Sequence, residues 1–161
     1  MKSSPARDSI AYRPATPEDR AFLRYVYATT REAELQRVPW SDEQKAAFVD
    51  MQFQSQTRHY EDFYPTCEFL IIEVEGRPAG RLYIDRRETE IDLIDIALIP
   101  EFRARGIGAM LIQEVLDEGR ATSRPVRIYV ETFNPARRLY DRLGFQEIET
   151  NGIYHLMQWK G

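Results

Sequence analysis

The chain has 161 residues, 43% of them hydrophobic and 30% charged, with a formal net charge of −4. That length corresponds to one domain with room for a sizeable core. Its longest aliphatic or aromatic run, Phe69-Leu70-Ile71-Ile72, falls far short of the about 20 residues a membrane helix needs. A single cysteine, Cys67, excludes an intrachain disulfide, and His59 and His155 add no zinc-ligand spacing. A pI near 5.3 argues against general nucleic-acid binding, which needs a basic face.

Residues 1–8 lack the apolar stretch of a signal peptide and read as a loose tail ahead of one domain over 9–161, so the cytoplasm is the expected location. A first strand is predicted over 9–15. Thr16-Pro17-Glu18-Asp19 then supplies a cap, a proline suited to the first helical position and acids that complement the helix dipole. With Phe22, Leu23, Val26 and Tyr27 at helical spacing, it predicts a helix over 17–30. Ser41-Asp42-Glu43-Gln44 is a capping-box pattern, and Phe48 and Met51 carry one face of a second helix to about 57. Arg37-Val38-Pro39-Trp40 is the loop between the two, and 59–65 reads as aromatic and irregular.

After Pro65 the period changes to that of strands, predicted over 67–75, 79–86 and 90–99, with short turns that favour an antiparallel meander. A helix over 106–122, a strand over 126–130 and a short helix over 134–143 stopped by Gly144 follow. Strands over 145–150 and 153–159 flank Asn151-Gly152, a hairpin turn signal. The fold class is α/β (α+β): a mixed, mostly antiparallel central sheet of about seven strands, flanked by about four helices.

Charge is uneven. Residues 102–142 hold eight arginines against five acids, whereas 28–65 holds seven acids against Arg31, Arg37, Lys45 and Arg58. The first stretch suits an anionic ligand and the second a cationic one, unless these are solvated helix faces.

The most informative segment runs from Ile96-Ala97-Leu98-Ile99-Pro100 through Glu101-Phe102-Arg103-Ala104-Arg105 to Gly106-Ile107-Gly108-Ala109. A strand ends, a loop carries arginines and glycines, and a long helix begins. Free N–H groups at a helix start, glycines that admit close approach and arginines that add charge make a phosphate or pyrophosphate cradle. Leu111 stands where a dinucleotide fingerprint needs glycine, and the Gly-Lys-Ser/Thr of a P-loop is absent. The other reading is a tight strand-to-helix turn with incidental arginines. A second constellation, Asn134 through Phe145, places Ala136, Leu139, Tyr140 and Leu143 on one helical face, where Tyr140 is either functional or a core aromatic.

Together the two constellations resemble the GCN5-related N-acetyltransferase (GNAT) superfamily. Arg103-Ala104-Arg105-Gly106-Ile107-Gly108 is similar to its cofactor signature, and Asn134 through Gly144-Phe145 to its second motif. Asn134 and Tyr140 are six residues apart, where many members have seven. The resemblance spans nearly the whole chain. It implies that acetyl-CoA is the acetyl donor and coenzyme A the product. It implies that Arg103, Ala104, Arg105, Gly106, Ile107, Gly108 and Ala109 hold the pyrophosphate. Ile96, Ala97 and Leu98 would pair with the pantetheine arm, and Asn134 and Tyr140 would complete the cofactor site. The implied reaction is direct transfer to a primary amine of a small molecule or peptide, with Tyr140 as general acid.

Asp95, on the strand next to the implied acetyl position, and Glu131, at the end of the following strand, are the candidate bases, with a water chain as the alternative and Tyr129 and His155 behind them. Glu32, Glu34, Glu61 and Asp62, amid Trp40, Phe48, Phe53, Tyr60, Phe63 and Tyr64, suit a cationic acceptor with some apolar body, unless the aromatics merely cover the sheet. A non-catalytic acetyl-CoA-binding sensor or interaction module, and an enzyme for a longer acyl-CoA, stay open. Neither a metal, nor nucleic acid, nor a membrane is expected; a homodimer is one option the family offers.

Overall fold

The structure is a computed structural model and describes residues 4–132 and 134–161. Residues 1–3 of the expected tail lie outside the described residues. The elements, in order, are β1 (Ile10–Pro14), α1 (Arg20–Leu35), α2 (Asp42–Phe63), β2 (Glu68–Val74), β3 (Arg77–Arg86), β4 (Ile91–Leu98), α3 (Ile107–Ala121), β5 (Val126–Glu131), α4 (Arg137–Leu143), β6 (Gln146–Asn151) and β7 (Tyr154–Trp159). The seven strands form one sheet in the order β1-β2-β3-β4-β5-β7-β6, antiparallel except for the β4–β5 pair.

Local signals explain most boundaries. The Thr16 N–H donates to Asp19 Oδ2 at 2.8 Å, and a 3-10 turn over Pro17–Asp19 feeds α1. Arg13 clamps the same carboxylate at 2.7 and 2.8 Å, and this hydrogen bonding holds Asp19 well below the usual carboxylate range. At α2, Gln44 N–H donates to Ser41 Oγ and the Gln44 side chain accepts from Ser41 N–H, closing a capping box.

Residues 59–65 correct the expectation of irregular chain, because α2 continues to Phe63. No glycine or proline interrupts it before Pro65, and Pro65 disfavours helix at its own position and at Tyr64, which is where α2 has already ended. Likewise α1 runs on to Leu35, beyond the expected 30. Conversely α4 starts at Arg137 and not at 134, because Asn134 Oδ1 accepts the Ala136 N–H at 2.9 Å and holds a turn there. Gly144, at φ +100, stops α4 as expected. In the last hairpin Asn151 pairs with Tyr154, so the two-residue turn is Gly152-Ile153, one step later than expected.

The main core joins Leu82, Ile84, Ile91 and Leu93 of the sheet to Ile107, Leu111, Ile112 and Leu116 of α3. Their spacing follows the alternation of strands and the period of a helix. Tyr27, Val49 and Phe53 form a smaller cluster between α1 and α2.

Candidate active site

The link from β4 to α3 is shaped by backbone conformation. Pro100–Phe102 forms a 3-10 turn that buries Phe102. Ala104 and Gly106 follow with φ of +58 and +78, and left-handed Gly106 is the N-cap of α3. The next N–H groups, of Ile107, Gly108 and Ala109, belong to the first turn and have no intrahelical acceptor. A Cβ on Gly108 would have no heavy atom within 4 Å, so the approach to that turn is open. Arg103 braces the loop: its Nε donates to the Leu98 carbonyl at 2.8 Å and its Nη2 to Thr29 Oγ1 at 3.0 Å. Arg105 lies over the Phe102 ring at 5.6 Å. These residues fit an anionic phosphate group, with N–H dipoles and an open first turn.

The strand before this loop parts from its neighbour. Pairing of β4 with β5 covers Ile91, Asp92 and Leu93 against Val126, Arg127 and Ile128, and the register goes no further. Half-buried Ile96, Ala97 and Leu98 therefore lie on the stretch of β4 beyond its pairing with β5. On its other side β4 is pressed close to β3. A Cβ on Gly80 would stand 2.1 Å from the Ala97 carbonyl oxygen, so only glycine fits.

Beside the parting lies a buried polar group of side chains. An irregularity between Tyr83 and Ile84 shifts the β3–β4 register, so Leu93 opposes Ile84 while Asp95 opposes Tyr83. Asp95 thus leaves the apolar pattern of its strand. Arg81 of β3, only 2% exposed, ion-pairs with Asp95 at 2.6 Å and donates to Gln56 Oε1 of α2 at 3.0 Å. Its guanidinium lies 4.9 Å from the Tyr83 ring centre, and Tyr83 meets Tyr60 of α2 edge-on at 5.5 Å.

Tyr140 of α4 is 3% exposed and meets Phe145 edge-on at 5.6 Å. Burial, and then the negative charge of Asp95, push the Tyr140 phenol well above its ordinary range. Burial does the same to Tyr60, again with Asp95 contributing. Both phenols are therefore proton donors at neutral pH.

Glu131, the second expected base, is engaged by Arg31 of α1 through contacts of 3.0 and 3.4 Å. Arg31 also pairs with Glu34 at 2.9 Å and donates to the Tyr27 hydroxyl at 3.3 Å. Asp95, Tyr140 and the parted strand are thus brought together, while Glu131 lies at the end of β5 under α1. His155 is sandwiched, with Nδ1 on Glu147 and Nε2 2.8 Å from Thr132 Oγ1. Tyr129 is exposed.

The acids expected around the acceptor are scattered. Glu34 is taken by Arg31, and Glu32 is exposed. Asp62 lines a surface hollow of about 400 Å³ with Met51, Arg58, His59 and Phe63 on α2, and Glu61 lines a smaller one. Sequence reasoning missed Arg81, Gln56, Gly80, Thr29 and Arg31. One signal was available: with Leu82 and Ile84 inward, strand alternation puts Arg81, Tyr83 and Asp85 on the opposite face together. Among the described residues, no cluster could hold a metal ion, and no helix is long and apolar enough to cross a membrane.

Comparison with known proteins agrees with this geometry. The acetyltransferase (GNAT) family model matches residues 23–145. An uncharacterised N-acetyltransferase of Methanocaldococcus jannaschii is 34% identical over 91 residues, which is 50% of this chain and 40% of that protein. This chain therefore covers less than half the length of that curated relative. Among solved structures, the PaiA N-acetyltransferase of Thermoplasma acidophilum in complex with coenzyme A shares the fold with a TM-score of 0.69 at 20% identity, covering 95% of this chain and 99% of the other. A GNAT family acetyltransferase from Elizabethkingia anophelis with acetyl-CoA bound gives 0.59 at 16% identity, covering 96% and 100%. With the family model spanning most of the domain, and with the parted strand and the Arg/Gly turn in place, the chain belongs to the acetyltransferase (GNAT) family.

Proposed function

We propose that this protein is an acetyl-CoA-dependent N-acetyltransferase that acylates a primary amine of a small molecule or peptide. The observation that carries this reading is the parting of β4 from β5 immediately before the Arg/Gly turn and the open first turn of α3. Proteins of the same fold have been crystallised with coenzyme A and acetyl-CoA, which supports the donor.

When bound, acetyl-CoA supplies an activated acetyl thioester; the protein supplies its placement. First-turn N–H groups of Ile107, Gly108 and Ala109 hold the pyrophosphate. Ile96, Ala97 and Leu98 align the pantetheine arm along the parted strand, and a backbone N–H there polarises the carbonyl. Arg103 keeps the loop against β4 and α1, and Asn134 fixes the turn that leads into α4. Tyr140 holds a proton for the leaving sulfur.

Calorimetry with coenzyme A tests the placement. Wild type should bind it, and Gly106→Val, at a left-handed position that disfavours a branched side chain, should bind at least tenfold more weakly, about 1.4 kcal/mol. Equal affinity in a folded variant would overturn the placement.

A further inference from the structure

Among the described residues, the three candidate proton acceptors Asp95, Glu131 and His155 are all engaged. Asp95 of β4 is held by Arg81 of β3 at 2.6 Å, and that guanidinium is 2% exposed. Glu131 of β5 is held by Arg31 of α1, which also binds Glu34 and the Tyr27 hydroxyl. His155 of β7 has Glu147 on one ring nitrogen and Thr132 on the other. The ionisable groups that sense the Asp95 charge also include three phenols, Tyr60 of α2, Tyr83 of β3 and Tyr140 of α4, and burial holds each of them in the protonated form.

From these pairings we infer that the acceptor is a weakly basic primary amine, such as the α-amino group of a peptide or an arylamine, and not a strongly basic alkylamine such as a lysine side chain or a diamine. The inference rests on the acetyltransferase reading and names the substrate class of that same site.

Proton balance is the reason. An amine that arrives neutral attacks the thioester carbon with its lone pair; the C–N bond forms and the C–S bond breaks. The sulfur takes the phenol proton of Tyr140, and the proton shed by nitrogen restores the phenol. Nothing is left over. An amine that arrives as ammonium brings one more proton, which must go to a side chain or to water before attack, and the candidate side chains are already paired. Protonating Asp95 would strand Arg81 as an unpaired buried charge, and protonating Glu131 would release Arg31 from its paired carboxylate. The same pairing removes the electrostatic pull on an ammonium group, since each carboxylate is already neutralised by a guanidinium.

The distinction is large at neutral pH. An α-amino group titrates at about 7.7–8.0 and a lysine side chain at about 10.4, so their neutral fractions at pH 7 differ on the order of 100-fold. Free-thiol release from acetyl-CoA should be compared at pH 7 for a peptide with a free α-amine and no lysine, an arylamine, an α-blocked lysine peptide and a diamine. The α-amine or the arylamine should exceed both alkylamines by on the order of 100-fold in kcat/KM, and which of the two leads distinguishes a peptide from an aromatic acceptor. Arg31→Gln, which frees Glu131 at a partly exposed position, should narrow that gap at least threefold without lowering coenzyme A affinity.

An α-blocked lysine peptide or a diamine turned over as well as the α-amine would overturn the inference and leave the acetyltransferase reading intact. So would an unchanged gap in a folded Arg31→Gln variant. No thiol release with any of the four amines would overturn both.

Discussion

Tyr140 is a core position to which the proposed function assigns a chemical role. Its ring packs on Phe145 in the main core, and burial with the nearby Asp95 charge keeps its hydroxyl protonated. Tyr140→Phe keeps the ring and deletes only the donor. Its melting temperature should therefore stay close to wild type, while kcat falls about 100-fold or more and coenzyme A affinity changes little. A variant that melts normally and turns over at the wild-type rate would reduce Tyr140 to a core aromatic.

A second residue-scale test concerns Asp92 at the closed end of the β4–β5 pair. Burial first, and then a hydrogen bond shared with Glu90, push its carboxyl up to about 7. Because the folded value lies above the unfolded one, the protonated carboxyl favours the folded state, and that support is lost as pH rises from about 4 through 7. Asp92→Asn should raise the melting temperature at pH 8 by at least about 2 °C and change it less at pH 5. A larger gain at pH 5 than at pH 8 would contradict the assignment.

Residue by residue, the candidate site was half legible. Tyr140, Asp95 and the Arg/Gly turn could be singled out as candidates from motif and strand position. Arg81 could not be assigned, because its partner depends on an irregularity in the β3–β4 register that no periodicity announces.

At the scale of elements, the site is made by two strands that part and one turn that delivers a helix. Gly80 shows how closely this is built, since its Cα stands where any side chain would strike the Ala97 carbonyl. Gly80→Val should push β4 away from β3 at the stretch assigned to the pantetheine arm. It should destabilise the fold by about 1–3 kcal/mol, as overpacking does, and weaken coenzyme A binding; unchanged melting and binding would contradict the close approach.

Capping boxes, the Gly144 stop and the antiparallel meander were legible because they are local. The run of α2 to Phe63 was not, since the aromatic stretch Tyr60, Phe63 and Tyr64 has no strong helical signature, and of the three only Tyr60 is anchored on the sheet, against Tyr83. The acidic bias of 28–65 misled for a related reason: charge counted along a chain does not show which acids an arginine already holds. Arg31 takes Glu34 from within its own helix and Glu131 from a strand 100 residues away.

For the molecule as a whole, the sheet serves as the frame of the candidate site. α3 packs on one side and supplies N–H dipoles at its start. α2 reaches Arg81 and Tyr83 from the side where Asp95 emerges. β6, exposed along its whole length, is the far edge, and its Glu147 reaches His155 of β7. This division explains why the fold was legible from order and spacing, whereas the proposed acceptor preference rests on ion pairs between distant elements. The central claim is the proposal that this site moves an acetyl group from acetyl-CoA to an amine. Its most direct test is to incubate purified protein with acetyl-CoA and an α-amino peptide, and to measure free thiol and acetylated peptide in parallel. The account predicts one acetylated peptide for each thiol released, at a rate that depends on the peptide. Coenzyme A binding without any acetylated product, or thiol release no faster than in the absence of amine, would contradict it.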